Sequence, residues 1–147
     1  MEPVRIVRAG AADALLVAAL VLQMQRAKGA DPDPDFLQRT GEAWQARRRD
    51  LPTWIAERHG EHAGFVQLAV VPDPLGRRTR GWLFPPFVRP DHRGDGVGPA
   101  LIHAATDWAK GAGLRLVIAE PEAPDEATYA QRGFTIIEPG LALRRFG

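Results

Sequence analysis

The chain contains no cysteine. That excludes a disulfide framework and any zinc site built on thiolates. An excess of one charge is also lacking: 19 basic residues stand against 18 acidic ones, a net charge of +1. A dedicated nucleic-acid binder usually carries a marked basic surplus on one face, so no nucleic-acid partner is expected. Long apolar runs are missing too. The longest, Ala14 to Leu22, falls well short of the ~20 residues that span a bilayer, so no membrane role is expected. The first residues, "MEPVRIVRAG", lack a basic-then-apolar leader pattern, and a cytoplasmic location is expected. No internal repeat is visible. A length of 147 residues suits one two-layer core, so a single domain over residues 1–147 is expected.

What is present alternates between strand and helix patterns. "VRIVRA" (Val4 to Ala9) has the period of two of a half-buried strand. Asp13 is placed to cap the next segment, where Leu15, Leu16, Ala19, Leu20 and Met24 recur at helical spacing until Gly29. After the linker "ADPDPD", Asp35 and Gln38 have the spacing of a capping box for a second helix reaching about Arg49. "TWIAERHGEHAGFVQLAVV" reads as two strands turning at His59-Gly60. "WLFPPFV" is a strand whose prolines cannot donate to a ladder, which predicts a bulge or an exposed edge. A helix follows with Leu101, Ala105, Trp108 and Ala112 on one face, ended by Gly111 to Gly113. Then come the strand "LRLVIAE", with Val117 to Ala119 central, the short helix "DEATYAQRG", and the strands "FTIIE" and "LALRRF". The expected order is β-α-α-β-β-β-α-β-α-β-β. That is a mixed α/β fold, with helices covering a mostly antiparallel sheet and one crossover at the glycine turn.

That turn, "DHRGDGVGPALI", has the context of an anion site. The first amides of a helix have no internal acceptor and carry partial positive charge. Glycines at 94, 96 and 98 let the backbone bend and approach a ligand, and Pro99 suits the first helical turn. Two better-known phosphate loops fail on spacing. A Walker loop needs Gly-Lys-Ser/Thr, where this chain has Gly98-Pro99-Ala100. A dinucleotide fingerprint begun at Gly94 would need glycine at 99. The adhesion tripeptide Arg93-Gly94-Asp95 conflicts with the expected compartment. Taken alone, the stretch also reads as a plain flexible turn. Two metal patterns are weak. Asp31, Asp33, Asp35 and Glu42 match calcium-loop positions, but Phe36 replaces the glycine such a loop needs. His59 and His62 flank a turn with no third ligand in view. No metal is expected.

Three motifs in order carry a resemblance. "FVRPDHRGDGVGPALI" resembles the acyl-CoA-binding segment of the GNAT superfamily of N-acetyltransferases, an Arg/Gln-x-x-Gly-x-Gly/Ala pattern met by Arg93, Gly96 and Gly98 after Val88 and Pro90. "YAQRGF" is similar to that family's Tyr-x-x-x-Gly-Phe, met by Tyr129, Gly133 and Phe134. "IAERHGEHAGFV" is similar to its second hairpin. The element order agrees along essentially the whole chain.

The resemblance implies the acyl-CoA N-acyltransferase fold and acetyl-CoA as acyl donor, its acetyl group passing to a small-molecule or peptide amine by direct attack. It implies that the strand before the glycine turn splays from its neighbour and that the pantetheine arm lies in the gap like an added strand. Backbone groups of Phe87 and Val88 would meet that arm. The pyrophosphate would sit on Arg93, Gly94, Asp95, Gly96, Val97 and Gly98. Pro99 departs from many relatives by removing one amide. Tyr129, the only tyrosine in the chain, would protonate the departing thiolate. Glu120 is the nearest equivalent of a base carboxylate some relatives carry, and deprotonation relayed by water is the alternative. A non-catalytic acyl-CoA-binding or regulatory domain of the same fold is the alternative function. The acceptor's identity and the oligomeric state carry no sequence signal.

Overall fold

A computed structural model of the chain describes residues 3–147. Met1 and Glu2, part of the stretch read for a leader, lie outside the described residues. The elements in chain order are β1 (Arg5–Arg8), α1 (Ala14–Ala27), α2 (Phe36–Arg47), β2 (Thr53–Arg58), β3 (Glu61–Val71), β4 (Arg80–Leu83), β5 (Phe87–Val88), α3 (Val97–Gly111), β6 (Leu116–Ala119), α4 (Glu126–Gln131), β7 (Thr135–Glu138) and β8 (Leu141–Arg145). They form an 8-stranded sheet in the order β1-β2-β3-β4-β6-β8-β7, with β5 paired to β3 outside this path. Every pairing is antiparallel except β4 with β6. That parallel pair needs a crossover, which α3 supplies as the sequence pattern predicts.

One expected strand is two. Leu83 faces Leu68 and Phe87 faces Phe65, so the register against β3 slips by one residue between β4 and β5. Pro85 and Pro86 lie at the slip, where neither offers an N–H to a ladder. The predicted bulge is therefore present, but β4 is an interior strand, not an edge. On the partner strand Gly64 sits at a second irregularity, where β2 pairing skips Ala63. A Cβ on Gly64 would collide with the Phe87 carbonyl, so glycine alone lets β5 approach this closely.

Alternation along the strands divides the core in two. Trp54, Ala56, Val66, Leu68, Leu83, Val117 and Ala119 pack towards α3 and α4. Ile55, Phe65 and Phe87 point the other way, towards Val17 and Leu20 of α1 and Trp44 of α2. The Trp44 indole donates to Thr53 Oγ1 at 2.9 Å, tying α2 to β2 inside the core. Gly41 of α2 faces the Ala14 carbonyl and the Ala18 side chain, where a Cβ would make ordinary contacts at 3.4 and 3.8 Å.

Two expected caps form differently. Asp13 reaches back to accept the Gly10 N–H at 2.7 Å and holds a 3-10 turn, instead of capping α1. Asp35 makes no capping bond to α2; its carboxylate meets Arg39 one turn on, while Gln38 donates to Glu42. In both cases a partner one turn away satisfies the side chain before the helix amides do. The hairpin turn at His59-Gly60 has positive φ at both residues, 53° and 72°, which glycine accommodates freely at the second position.

Candidate functional site

The slip at the prolines opens the sheet. β4 stays in register with β6 up to Leu83 and Ala119. Beyond that point β5 pairs with β3 alone. In an antiparallel pair, successive residues direct their backbone groups to opposite sides. Arg89 N–H donates to the Ala63 carbonyl at 2.8 Å, so Arg89 faces β3. Val88, one residue earlier, therefore turns its N–H and C=O into the gap. Phe87 does not: its backbone faces Phe65 on β3, and its ring packs against the Phe65 ring at 6.1 Å between centroids. Of the two residues expected to offer backbone groups here, Val88 alone is oriented to do so.

The gap continues into a cleft of about 670 Å³. Its walls bring together Val88, Arg93, Gly94, Gly96, Val97 and Gly98, with Met24 and Lys28 from the end of α1 on the other side. Gly94 and Gly96 have φ of 85° and 82°, the left-handed region, and Gly96 caps α3. The amides of Val97 and Gly98 precede the first helical bond, which runs from Ala100 to Gly96 at 3.1 Å. Pro99, between Gly98 and Ala100, has no N–H to add. A Cβ on Gly98 would only touch Val88 and Pro86 at 3.8 and 3.9 Å, so the local backbone tolerates a side chain while the cleft would lose space. Arg93 donates from Nε to the Val88 carbonyl at 3.1 Å. The guanidinium thus covers one of the two backbone groups that β5 presents to the gap.

Asp95 does not line the cleft. Its carboxylate pairs with Arg58 at the end of β2, at 2.5 Å. The pair straps the glycine turn to the β2-β3 hairpin and neutralises an acid that would otherwise repel an anion. These two residues are 37 apart in the chain, and no local pattern announces the contact. His92 was likewise unmarked in the sequence. It is buried, lines the cleft, and its Nε2 lies 3.3 Å from Glu61. Glu61, Asp91 and His92 bring their ligand atoms within 4.8 Å of one another, but Arg89 stands 3.5 Å from Glu61 and 3.6 Å from Asp91, already serving both carboxylates.

Tyr129 is buried in the core, its ring edge-on to Phe134 at 5.5 Å between centroids; its neighbour Thr128 lines the cleft, whereas Tyr129 itself does not. Its hydroxyl is enclosed and has no hydrogen-bond partner among the described residues. Burial pushes its pKa well above the ordinary tyrosine value, and the charges of Asp125 and Glu122 push it further the same way. Those two acids, with Thr128, line the cleft.

Glu120 does not belong to the cleft. Alternation from Ile118, which faces Trp82, places Glu120 on the Trp82 side, where the indole donates to its Oε1 at 3.0 Å. The opposite face, carrying Leu83 and Ala119, is the one packed on α3. The carboxylates that do reach the cleft are Glu122 and Asp125, three and six residues past the end of β6.

Residues 18–134 match the sequence profile described as the acetyltransferase (GNAT) family. The chain is similar to N-acetyltransferase 8 of Homo sapiens, with 32% identity over 84 residues, 55% of this chain and 37% of that protein. It spans well under half the length of the curated relatives it matches. Among solved structures it is similar to a GNAT family acetyltransferase from Brucella melitensis in complex with acetyl-CoA, with TM-score 0.72, 21% identity, and coverage of 100% of this chain and 90% of that one. It is also similar to a ribosomal-protein-alanine N-acetyltransferase from Brucella melitensis biovar Abortus 2308, with TM-score 0.66, 26% identity, and coverage of 87% and 88%.

Proposed function

This chain belongs to the acetyltransferase (GNAT) family, and from that premise we propose that it transfers acetyl from acetyl-CoA to a primary amine by direct attack. The observation that carries the reading is the gap beside β5, which opens onto the glycine-capped start of α3.

In this reading the pantetheine arm lies along β5 and bonds to Val88. The pyrophosphate rests on the amides of Val97 and Gly98, where the positive end of α3 favours it. Arg93 then leaves the Val88 carbonyl and turns onto phosphate, freeing the carbonyl for the arm. The amine, having lost a proton, attacks the thioester carbon. The Val88 N–H steadies the oxyanion, a role worth ~3 kcal/mol. Attack forms the C–N bond; collapse of the tetrahedral intermediate breaks the C–S bond, the sulfur takes a proton from Tyr129, and the nitrogen sheds the extra proton it carries after attack. The proton shed by the amine returns to Tyr129 through water, so the products are the amide and free CoA.

Release of free CoA, followed with a thiol reagent across a panel of small-molecule and peptide amines, tests the reading. One amine should give stoichiometric CoA and acetylated product. Tight binding of acetyl-CoA with no turnover on any amine would return the chain to a non-catalytic binding role. Gly98→Glu, whose carboxylate would lie across the free amides, should fold normally and lose acetyl-CoA binding by calorimetry. Unchanged affinity would remove the phosphate from this turn.

A further inference from the structure

A second cavity, of about 590 Å³, lies at the other end of α3. Its walls are Arg8 from the end of β1, Arg48 and Arg49 from the turn after α2, Arg78 from the loop before β4, and Trp108 of α3. Trp108 follows Val97 by eleven residues in the same helix, which places it about 16 Å along the axis from the glycine turn. The two cavities share no residue.

Four arginines from three separate stretches of chain line this one space, an unfavourable arrangement because like charges repel unless an anion is shared among them. One carboxylate is at hand: Asp50 pairs with Arg78 at 2.8 Å. Arg78 also donates to the Arg49 carbonyl at 2.6 Å, so its planar group is held in place. Arg8 stacks over Trp54 and Trp108, at 5.2 and 5.0 Å from their ring centroids, which fixes its position too. Arg48 and Arg49 make no ion pair among the described residues. Three positive charges are thus left uncompensated around one concave space with an aromatic wall. Screening at the end of α2 accounts for a basic residue or two there. It does not account for Arg8 and Arg78, which come from a strand and a loop.

We propose that this cavity is a binding site for a small phosphomonoester, its dianion held by Arg8, Arg48, Arg49 and Arg78 and its organic part against Trp108. Guanidiniums in fixed orientations suit phosphate oxygens better than point charges do, and the volume suits a small metabolite. Burial, and after it the neighbouring Arg48, hold the Arg8 guanidinium below its ordinary range, the strain that a bound dianion would relieve. The Gly10 amide at the rim is already taken by Asp13, so recognition falls to the side chains.

Phenyl phosphate, inorganic phosphate and benzoate, each titrated calorimetrically into the protein with and without saturating CoA, test the proposal. Phenyl phosphate should bind one to one, more tightly than inorganic phosphate, with CoA making no difference. The Arg48→Ser/Arg49→Ser variant removes two exposed side chains that make no ion pair among the described residues. It should keep its circular dichroism and CoA affinity while its phenyl phosphate Kd rises at least about tenfold. Arg8→Gln should weaken binding similarly. Absence of saturable binding, competition by CoA, benzoate binding as tightly as phenyl phosphate, or an unchanged Kd in the double variant would each overturn it. A response to long polyanions alone would do the same, leaving only a basic surface.

Discussion

Tyr129 shows how one side chain carries two consequences of the same burial. Enclosure of its hydroxyl raises its pKa, so the phenol stays protonated across the working range and is available as a donor. Tyr129→Phe should lower kcat by ~10²–10⁴, with little change in KM for acetyl-CoA, because the lost contact is made chiefly in the transition state. Steady-state kinetics decide this, and an intact kcat would return Tyr129 to a packing role beside Phe134. The same shift has a stability sign. An acid whose folded pKa lies above its unfolded value near ~10 favours folding fully below that pH. Its contribution is lost as pH rises beyond it. Urea unfolding at pH 9 and 11 should therefore show a drop in the wild type that is smaller in Tyr129→Phe. Arg93 is the other decisive single residue. If it moves from Val88 to phosphate, Arg93→Ala should weaken acetyl-CoA by about 10–100-fold, the range for a charged hydrogen bond. Acetyl-pantetheine, which has no pyrophosphate, should lose far less in a parallel titration. Equal losses for both would place Arg93 on the arm instead.

At the scale of elements, the site depends on a strand that fails. Pro85 and Pro86 interrupt pairing, β5 moves over to β3 alone, and the gap opens where β6 has ended. Gly64 is what allows the approach, since a Cβ there meets the Phe87 carbonyl. Gly64→Ala should destabilise the protein by about 1–3 kcal/mol through overpacking against backbone, read from chemical denaturation. It should also weaken acetyl-CoA binding, because β5 carries Val88. Destabilisation with unchanged affinity would mean that the arm does not depend on the position of β5. The strap between Arg58 and Asp95 works at the same scale, holding the glycine turn to a hairpin distant in sequence.

At the scale of the whole molecule, charge placement decides where an amine would be drawn. Asp31, Asp33 and Asp35 make the linker acidic, but Arg39 lies 3.9 Å from Asp33 and 3.3 Å from Asp35. Exposed charges on such a rim are also screened within about 8 Å at physiological salt. Glu122 and Asp125 stand in the cleft itself. Replacing the three linker aspartates with asparagine should raise the acceptor KM at low salt and only slightly at 150 mM. Glu122→Gln/Asp125→Asn should raise it about tenfold at either salt, with acetyl-CoA affinity kept. The reverse ranking would put the acceptor's cation at the linker. No helix among the described residues is long and apolar enough to cross a membrane.

The order of elements, the crossover through α3 and the glycine turn were legible in the sequence, because periodicity, prolines and glycines act locally. So was the irregular strand at "WLFPPFV", since a proline's missing N–H needs no partner to be known. Which backbone groups face the gap was not legible. Val88 and Phe87 differ by one residue, and only the pairing with β3 tells which of them turns outward. Glu120 looked like the carboxylate nearest the site, yet strand alternation sends it to Trp82 and leaves Glu122 and Asp125 in the cleft. The caps expected at Asp13 and Asp35 failed because a nearby partner competed for each carboxylate. Arg47 to Arg49 and "GRRTR" are visible in the sequence as short basic runs, read as solvated ends or, for the second, as a contact for cofactor phosphates. Arg78 lies outside the cleft, however, and the arginine cavity was not legible. Arg8, Arg48, Arg49 and Arg78 are ordinary basic residues in the chain, and they become a site only because β1, the end of α2 and the loop before β4 meet at the far end of α3. Local chemistry is written along the chain, whereas convergence of distant side chains depends on strand register and layer packing.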